Sequence, residues 1–171
     1  MSVAIPDAVI DLRYATEHNI AGEKLYPVAR CLLRRGVAER LVRVADTLRA
    51  HDRRLLLWDC YRPTSVQPIL WKALPDPSKV APPAHGSDHS RGAAVDVSLA
   101  DRDGTPIAMP TDHDDDTPAA SRAHARKISA EARLLDDSMR GAGFKPLASE
   151  WWHFAAPDAS GYALSDRALT D

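Results

Sequence analysis

The 171-residue chain is poor in several features that would assign it to a specialised class. Two cysteines are too few for a disulfide framework, and Cys31 and Cys60 each have apolar neighbours, so we expect two buried free thiols. A net charge of -2 gives no reason to expect a nucleic-acid or anionic-membrane partner. No apolar run is long enough to span a membrane, and the N-terminus lacks the pattern of a signal peptide. We therefore expect a cytoplasmic protein, or a periplasmic one if the sequence is a trimmed mature form.

The composition is otherwise that of an ordinary globular protein, with 44% hydrophobic and 27% charged residues. Apolar residues three and four positions apart predict a helix over 36–51, and we interpret its clustered arginines as a solvated face. A short apolar run predicts a strand over 55–58, and alternation predicts another over 93–99. A turn at 101–104 then indicates a hairpin.

The second half of the chain continues this mixture of helices and strands. Residues 118–141 form the longest predicted helix, residues 144–154 the last predicted strand, and the segment 74–88 a surface loop. Helices and strands do not alternate regularly along the chain. We therefore predict an α+β fold, with residues 1–171 forming one small domain in which helices flank a central antiparallel sheet.

Two segments contain side chains that bind divalent metals. The first contains His89 and Asp96, and the second, Glu150-Trp151-Trp152-His153, ends in another histidine. Two histidines and one carboxylate leave a fourth position of a zinc ion open for water, and a further carboxylate, Glu150, could take the proton of that water. Spacing alone is weak evidence for this site. Most such His and Asp pairs are coincidental, and Glu150 and His153 can reach one metal only if the backbone bends near Trp151.

Other residues have two possible interpretations. Arg62, on the turn before Pro63, could stabilise the oxyanion formed when water attacks an amide, or could form a salt bridge with Asp59. The acidic run 109–116 is typical of a solvated loop, although it could supply a carboxylate for a substrate ammonium group. The tryptophan pair 151–152 favours core and pocket wall over substrate contact. Five histidines lie among polar residues and are expected to be solvated rather than ligands: His18, His51, His85, His113 and His124. Of these, His85 and His113 lie within a few residues of the proposed site.

Taken together, the motifs resemble those of a known enzyme family. A Ser-x-His-x-x-Gly-x-Ala-x-Asp pattern runs from Ser87 to Asp96, Asp-x-Tyr-Arg-Pro spans 59–63, and Glu-x-Trp-His spans 150–153. The segment 11–22 also resembles the N-terminal region of that family. In this combination and order, covering residues from about 11 to 154, the chain resembles the D-alanyl-D-alanine dipeptidases of the VanX type, within the zinc D-Ala-D-Ala metallopeptidases.

The resemblance implies a small α+β domain that hydrolyses D-Ala-D-Ala to two D-alanines by means of a metal-activated water. It implies one zinc ion (Zn2+) per chain, bound by His89, Asp96 and His153. Glu150 would act as general base and then general acid, and Arg62 would stabilise the tetrahedral intermediate.

The resemblance also implies how the substrate is held, and where the chain departs from the family. Ser87 would contact the substrate carboxylate or carbonyl, and Asp114 would pair with the free amino terminus. Cys60 stands where the family commonly has Gly, and the loop 74–88 is short, which leaves the cleft more open. An alternative is a D,D-carboxypeptidase or L,D-peptidase that acts on longer peptidoglycan stem peptides. A non-catalytic module that binds such stems would need neither the general base nor Arg62.

Overall fold

The computed structural model describes residues 5–170, which form a five-stranded sheet with helices packed against it. The strands are β1 (Val9–Ile10), β2 (Arg53–Asp59), β3 (Ala94–Asp101), β4 (Lys145–Pro146) and β5 (His153–Ala155). The helices are α1 (Arg35–Arg49), α2 (Gln67–Ala73), α3 (Arg122–Ile128) and α4 (Ala130–Gly141). Short 3-10 turns occupy Arg13–Ala15, Thr64–Val66, His89–Arg91, Pro118–Ala120 and Ala159–Gly161.

The sheet has the strand order β1-β2-β3-β5-β4. The pair β1–β2 is parallel, whereas β2–β3, β3–β5 and β4–β5 are antiparallel. The predicted α+β class with a mostly antiparallel sheet is therefore confirmed. Within residues 5–170, no helix combines the length and the apolar character needed to cross a membrane.

The core lies between the sheet and two helices. Helix α1 contacts both α4 and β2, and α4 also contacts β3. The predicted helix over 36–51 is confirmed as α1, which buries one apolar face at spacings of four, three and four residues: Val37, Leu41, Val44 and Leu48. On β3, alternating residues complete the core: Val95, Val97 and Leu99. Because successive side chains of a strand point to opposite faces, Asp96 projects away from this core.

The register of the sheet lines up one polar residue from each of three strands. Asp96 of β3 lies directly opposite Asp59 of β2 and His153 of β5. The β2–β3 register shifts between Leu57 and Asp59, and this bulge places Asp59, rather than Trp58, opposite Asp96. Directly opposed residues share a face of the sheet, so these three side chains converge. We call Asp59, Asp96 and His153 the polar row.

Three predictions of secondary structure are partly wrong. The helix predicted over 118–141 is interrupted at Ser129, whose backbone is extended and whose side chain accepts a 3.1 Å hydrogen bond from the Ala132 amide. Serine favours this capping role, so a new helix begins after it. The strand predicted over 144–154 is instead two short strands separated by a bend. The hairpin after residue 104 is reduced to a single bridge between Ala100 and Pro106.

The prediction of two free thiols is wrong, because Cys31 and Cys60 form a disulfide with a Cα–Cα separation of 5.2 Å. The segment before α1 runs beside the end of β2, where the Tyr61 amide donates a 3.0 Å hydrogen bond to the Leu32 carbonyl. This contact between segments 29 residues apart brings the two cysteines within bridging distance. The apolar residues next to each cysteine in the sequence did not indicate this disulfide.

Candidate active site

Two members of the polar row, Asp96 and His153, line a cavity of about 280 Å3. Its walls include parts of the loop 74–88 and of the acidic loop 109–116. The structure brings to this cavity all seven residues that the sequence analysis singled out: Arg62, Ser87, His89, Asp96, Asp114, Glu150 and His153. Segments far apart in sequence therefore meet at one concave surface, as expected of a ligand-binding site.

Three of these residues form a compact set of metal donors, with their ligand atoms all within 4.8 Å of one another. His89 Nε2 lies 3.3 Å from Asp96 Oδ1 and 3.1 Å from His153 Nδ1, and His153 Nδ1 lies 3.1 Å from Asp96 Oδ1. Zinc bonds of about 2.0–2.1 Å at tetrahedral angles would place donors roughly 3.3 Å apart. Two imidazole nitrogens and one carboxylate oxygen at this spacing fit a single zinc ion.

Hydrogen bonds fix the orientation of His89. Its Nδ1 donates to the Cys60 carbonyl at 2.8 Å and lies 3.3 Å from Asp59 Oδ2, so Nε2 keeps its lone pair toward the other donors. Asp59 is held in turn, since its Oδ1 accepts hydrogen bonds from Tyr26 Oη at 2.8 Å and from the Cys60 amide at 2.9 Å. Partners of this kind tune metal ligands in many proteins.

A tight turn joins the first two donors. His89 begins the 3-10 turn His89–Arg91, which ends at Gly92 in the left-handed conformation with φ 66° and ψ 28°. Glycine adopts this conformation without steric cost, and the chain then enters β3 directly. The seven-residue spacing of His89 and Asp96 therefore combines a turn and a strand.

Glu150 reaches the cavity because the chain bends at Trp151 and Trp152 before β5 begins, as the sequence analysis required. The buried Arg122 guanidinium fixes this bend by donating to the carbonyls of Glu150 at 2.7 Å and His153 at 2.8 Å. Burial, together with the negative charges of nearby carboxylates, raises the pKa of Glu150 to about 8. A cation beside it would lower this pKa, so the carboxyl can exchange a proton near neutral pH.

The position of Arg62 is compatible with both of its predicted interpretations. It is 7% exposed and lines the cavity, and its Nε lies 3.4 Å from Asp59 Oδ2. Its backbone amide donates to the His89 carbonyl at 3.2 Å, and its guanidinium stands 5.2 Å from the centre of the Tyr14 ring. Burial disfavours the charged form, but Asp59 and further acidic groups nearby together outweigh this effect, and the pKa of Arg62 is raised. A fixed cation therefore faces the cavity.

The two predicted substrate contacts are half-buried at the walls of the cavity. Ser87 Oγ accepts a 3.2 Å hydrogen bond from the His89 amide. Asp114 has a left-handed backbone with φ 59°, a conformation that aspartate tolerates better than most residues, and its Oδ2 accepts a 2.9 Å hydrogen bond from Tyr14 Oη. Nothing in the sequence analysis had pointed to this role of Tyr14.

The prediction that His113 is solvated is wrong. Its side chain is 1% exposed, its Nε2 donates a 3.0 Å hydrogen bond to Asp96 Oδ2, and its Nδ1 lies 3.5 Å from Asp114 Oδ2. Burial opposes the charged imidazole, but the charge of Asp114 and the hydrogen bond to Asp96 raise the pKa of His113 to about 9. The residues next to His113 in the sequence are polar, so they did not indicate that its side chain is buried. The other four histidines are exposed as predicted: His18, His51, His85 and His124.

The prediction that the tryptophan pair belongs to the core is confirmed, but neither ring is among the residues that line the cavity. Trp151 and Trp152 are 2% and 1% exposed, and Trp151 Nε1 donates a 2.8 Å hydrogen bond to Thr111 Oγ1. This bond ties the start of the acidic loop to the bend that carries the predicted general base. The pair therefore supports the cavity from behind.

Comparisons with known proteins agree with this geometry. A peptidase M15 family model, described as D-ala-D-ala dipeptidase, matches residues 1–170. The chain is 37% identical over 167 residues to the D-alanyl-D-alanine dipeptidase of Escherichia coli, covering 96% of this chain and 86% of the relative. It is 31% identical over 172 residues to the D-alanyl-D-alanine dipeptidase of Enterococcus faecalis, covering 86% of this chain and 85% of the relative. A third relative of the same name, from Enterococcus faecium, is 28% identical over 172 residues.

Proposed function

Because the chain belongs to the D-Ala-D-Ala dipeptidase family of metallopeptidases, we propose that it is a zinc enzyme that hydrolyses D-Ala-D-Ala to two D-alanines. One observation carries this proposal. The donor triangle of His89, Asp96 and His153 opens into the same cavity as a carboxyl group suited to proton exchange and a buried cation. This combination serves hydrolysis, whereas simple binding of a peptide would not need it.

We assign the zinc ion to His89 Nε2, Asp96 Oδ1 and His153 Nδ1. With three protein ligands, zinc would lower the pKa of water and polarise the scissile carbonyl. Asp96 is suited to ligation because it is anionic: although burial opposes its charge, the neighbouring imidazoles hold its pKa well below the usual range. The orientation of His89 by the Cys60 carbonyl would keep its Nε2 available.

Two further residues would act on the reacting atoms. Glu150 would accept the proton of the attacking water and deliver it to the leaving amine, which is the exchange that its environment favours. The guanidinium of Arg62 would face the oxygen of the former carbonyl as negative charge develops there. Because Asp59 and the Tyr14 ring already hold this guanidinium, little reorganisation would be needed.

Two residues would select a free dipeptide. Asp114 would pair with the substrate ammonium group, and Ser87 would contact its carboxylate or carbonyl. A dipeptide carries its ammonium group one residue from the scissile bond. An acylated or extended substrate would leave the half-buried Asp114 carboxylate without its partner, which is costly in a partly desolvated site.

The test compares kcat/KM for D-Ala-D-Ala and N-acetyl-D-Ala-D-Ala on the zinc-loaded protein, with the chelated protein and L-Ala-L-Ala as controls. Rapid, metal-dependent release of D-alanine from the free dipeptide alone is the expected result. Equal kcat/KM for the free and acetylated dipeptides would instead assign the chain to the carboxypeptidase alternative. Absence of hydrolysis with either substrate would reject the proposed function.

The disulfide also bears on the compartment. Bonds such as Cys31–Cys60 persist in oxidising compartments and are rare in the reducing cytoplasm. We therefore favour a protein that works outside the cytoplasm over the expectation drawn from its N-terminus. Alkylation of the denatured protein directly after acid quenching of whole cells would test this, since a reduced cytoplasmic protein would be labelled at both cysteines and a disulfide-bonded one at neither.

A further inference from the structure

We propose that His113 is a positioning residue that joins metal binding to recognition of the substrate amine. The inference rests on the proposed function, because it concerns the same cavity, but it adds a residue that neither the motifs nor the resemblance identified. His113 lies between two carboxylates with different tasks. Asp96 is a candidate ligand of the zinc ion, and Asp114 is the candidate partner of the substrate ammonium group.

The contact with Asp96 is the shorter of the two. Asp96 directs Oδ1 to the two other donors and Oδ2 to His113 Nε2, 3.0 Å away. The hydrogen bond occupies the oxygen that would otherwise compete for the metal, and it fixes the rotation of the carboxylate. His113 thus favours one-oxygen ligation by Asp96 with a fixed direction.

The contact with Asp114 is looser. His113 Nδ1 lies 3.5 Å from Asp114 Oδ2, which also accepts the 2.9 Å hydrogen bond from Tyr14. This buried nitrogen makes no hydrogen bond among residues 5–170, and its contact with Asp114 is an ion pair at 3.5 Å. Asp114 Oδ2 is therefore approached from the protein side by an imidazole and a phenol. These contacts leave Oδ1 as the oxygen available to a substrate ammonium group.

The ring of His113 cannot easily move away from this position. Its centre lies 5.5 Å from that of Trp58, 5.6 Å from Tyr14 and 5.7 Å from Trp152, each ring tilted or edge-on to it. Three aromatic walls thus hold the imidazole with one nitrogen toward each carboxylate. A substitution at residue 113 can therefore change either polar contact while the walls stay in place.

The test uses three variants that keep a buried side chain. His113→Phe preserves the ring and removes both contacts, His113→Gln restores an amide near the Nε2 position, and His113→Asn restores one near Nδ1. Zinc affinity is measured by competition with a chromogenic chelator on the metal-free protein, without substrate. KM and kcat for D-Ala-D-Ala are then measured at saturating zinc, with thermal unfolding as the check on folding and the exposed His124→Phe as the control.

We expect His113→Phe to weaken zinc binding about 10–100-fold, the usual cost of removing an outer partner of a ligand, and to raise KM at saturating zinc. His113→Gln should recover most of the zinc affinity but not KM, and His113→Asn should do the reverse. If His113→Phe binds zinc like the unmodified chain and keeps its KM, His113 is only a packing residue. If His113→Phe does not fold, equal zinc affinity and KM in His113→Gln and His113→Asn overturn the proposal. The zinc measurement stands even if the unmodified chain hydrolyses no dipeptide, so this proposal and the proposed function can fail separately.

Discussion

The two sides of the cavity are built in different ways. On one side, the polar row is fixed by strand pairing, and Asp59 and Asp96 are 0% and 4% exposed. On the other side, Ser87 and Asp114 lie half-buried on loops that contain neither helix nor strand. Rigid strands are suited to metal ligands, which must be placed accurately, whereas loops can change selectivity without disturbing the sheet. The comparison predicts that substitutions on the strand side abolish chemistry and those on the loop side change substrate preference.

The largest loss of zinc binding and activity should come from a substitution on the strand side of the cavity. His153→Ala removes one of three donors, so zinc affinity should fall by more than the roughly 10–100-fold that outer partners contribute, and hydrolysis should be lost with it. Metal analysis after dialysis, together with D-alanine release, measures both quantities. The exposed His85→Ala should change neither. Full metal content and activity in His153→Ala would refute the ligand assignment.

The next effect, at the bend that precedes β5, separates chemistry from metal binding. Glu150→Gln keeps the shape of the side chain but cannot accept a proton, so kcat should fall by about 10²–10⁴-fold while zinc stays bound. Gln substituted for Glu131, which pairs with Arg53 at 2.7 Å outside the cavity, provides the matched control. Loss of zinc in Glu150→Gln would show that this residue is a ligand, and near-normal turnover would remove it from the mechanism.

A smaller effect is expected on the loop side. Asp114→Asn retains a residue type that tolerates the left-handed backbone, and it removes a charge-assisted hydrogen bond worth roughly 1.5–3 kcal/mol. KM for D-Ala-D-Ala should rise about 10–100-fold by the same estimate, with little change for the acetylated dipeptide. The exposed Asp103→Asn serves as the control. A fall in kcat without a rise in KM would place Asp114 with the catalytic groups and break the comparison.

The smallest effect on turnover should come from the disulfide. Replacing Cys31 and Cys60 by Ser opens a loop of 29 residues, so the free energy of unfolding should fall by about 3–4 kcal/mol. The folded protein should keep kcat/KM, because backbone groups of residue 60 make the contacts to His89 and Asp59. Denaturant unfolding and kinetics at low temperature measure the two quantities. A large loss of turnover in the folded variant would mean that strand pairing alone does not hold the polar row.

Much of the site could be predicted from the sequence, for a physical reason. His89, Gly92 and Asp96 are close in sequence, and a turn followed by a strand converts their spacing directly into geometry. The bend before His153 was required by the two faces of a strand. Tyr14 and His113 could not be found in this way. Tyr14 contacts Asp114 across 100 residues, and His113 reaches Asp96 across 17 residues from a segment whose sequence is that of a surface loop.

The secondary structure likewise divides into elements that could be predicted from the sequence and elements that could not. Apolar spacing located α1, which buries one face, whereas an apolar run and an alternating segment located β2 and β3, which are buried along most of their length on both faces. These patterns failed where a local hydrogen bond competes with a regular element. The Ser129 side chain ends one helix and begins another within a stretch whose apolar spacing continues. The pairing of Cys31 with Cys60 likewise depends on how two distant segments run side by side, which periodicity does not report.

The pairing of Asp96 with His153 has a consequence for how the chain can vary. Between these residues lie 56 others, including the acidic loop, α3 and α4, yet their separation is set only by the alignment of β3 with β5. A slip of one residue would turn the histidine to the opposite face of the sheet. Residues inserted into the intervening loops would leave the alignment intact. The segment between the two residues can therefore differ in length between related chains. An insertion of a single residue within either strand would instead separate the metal donors.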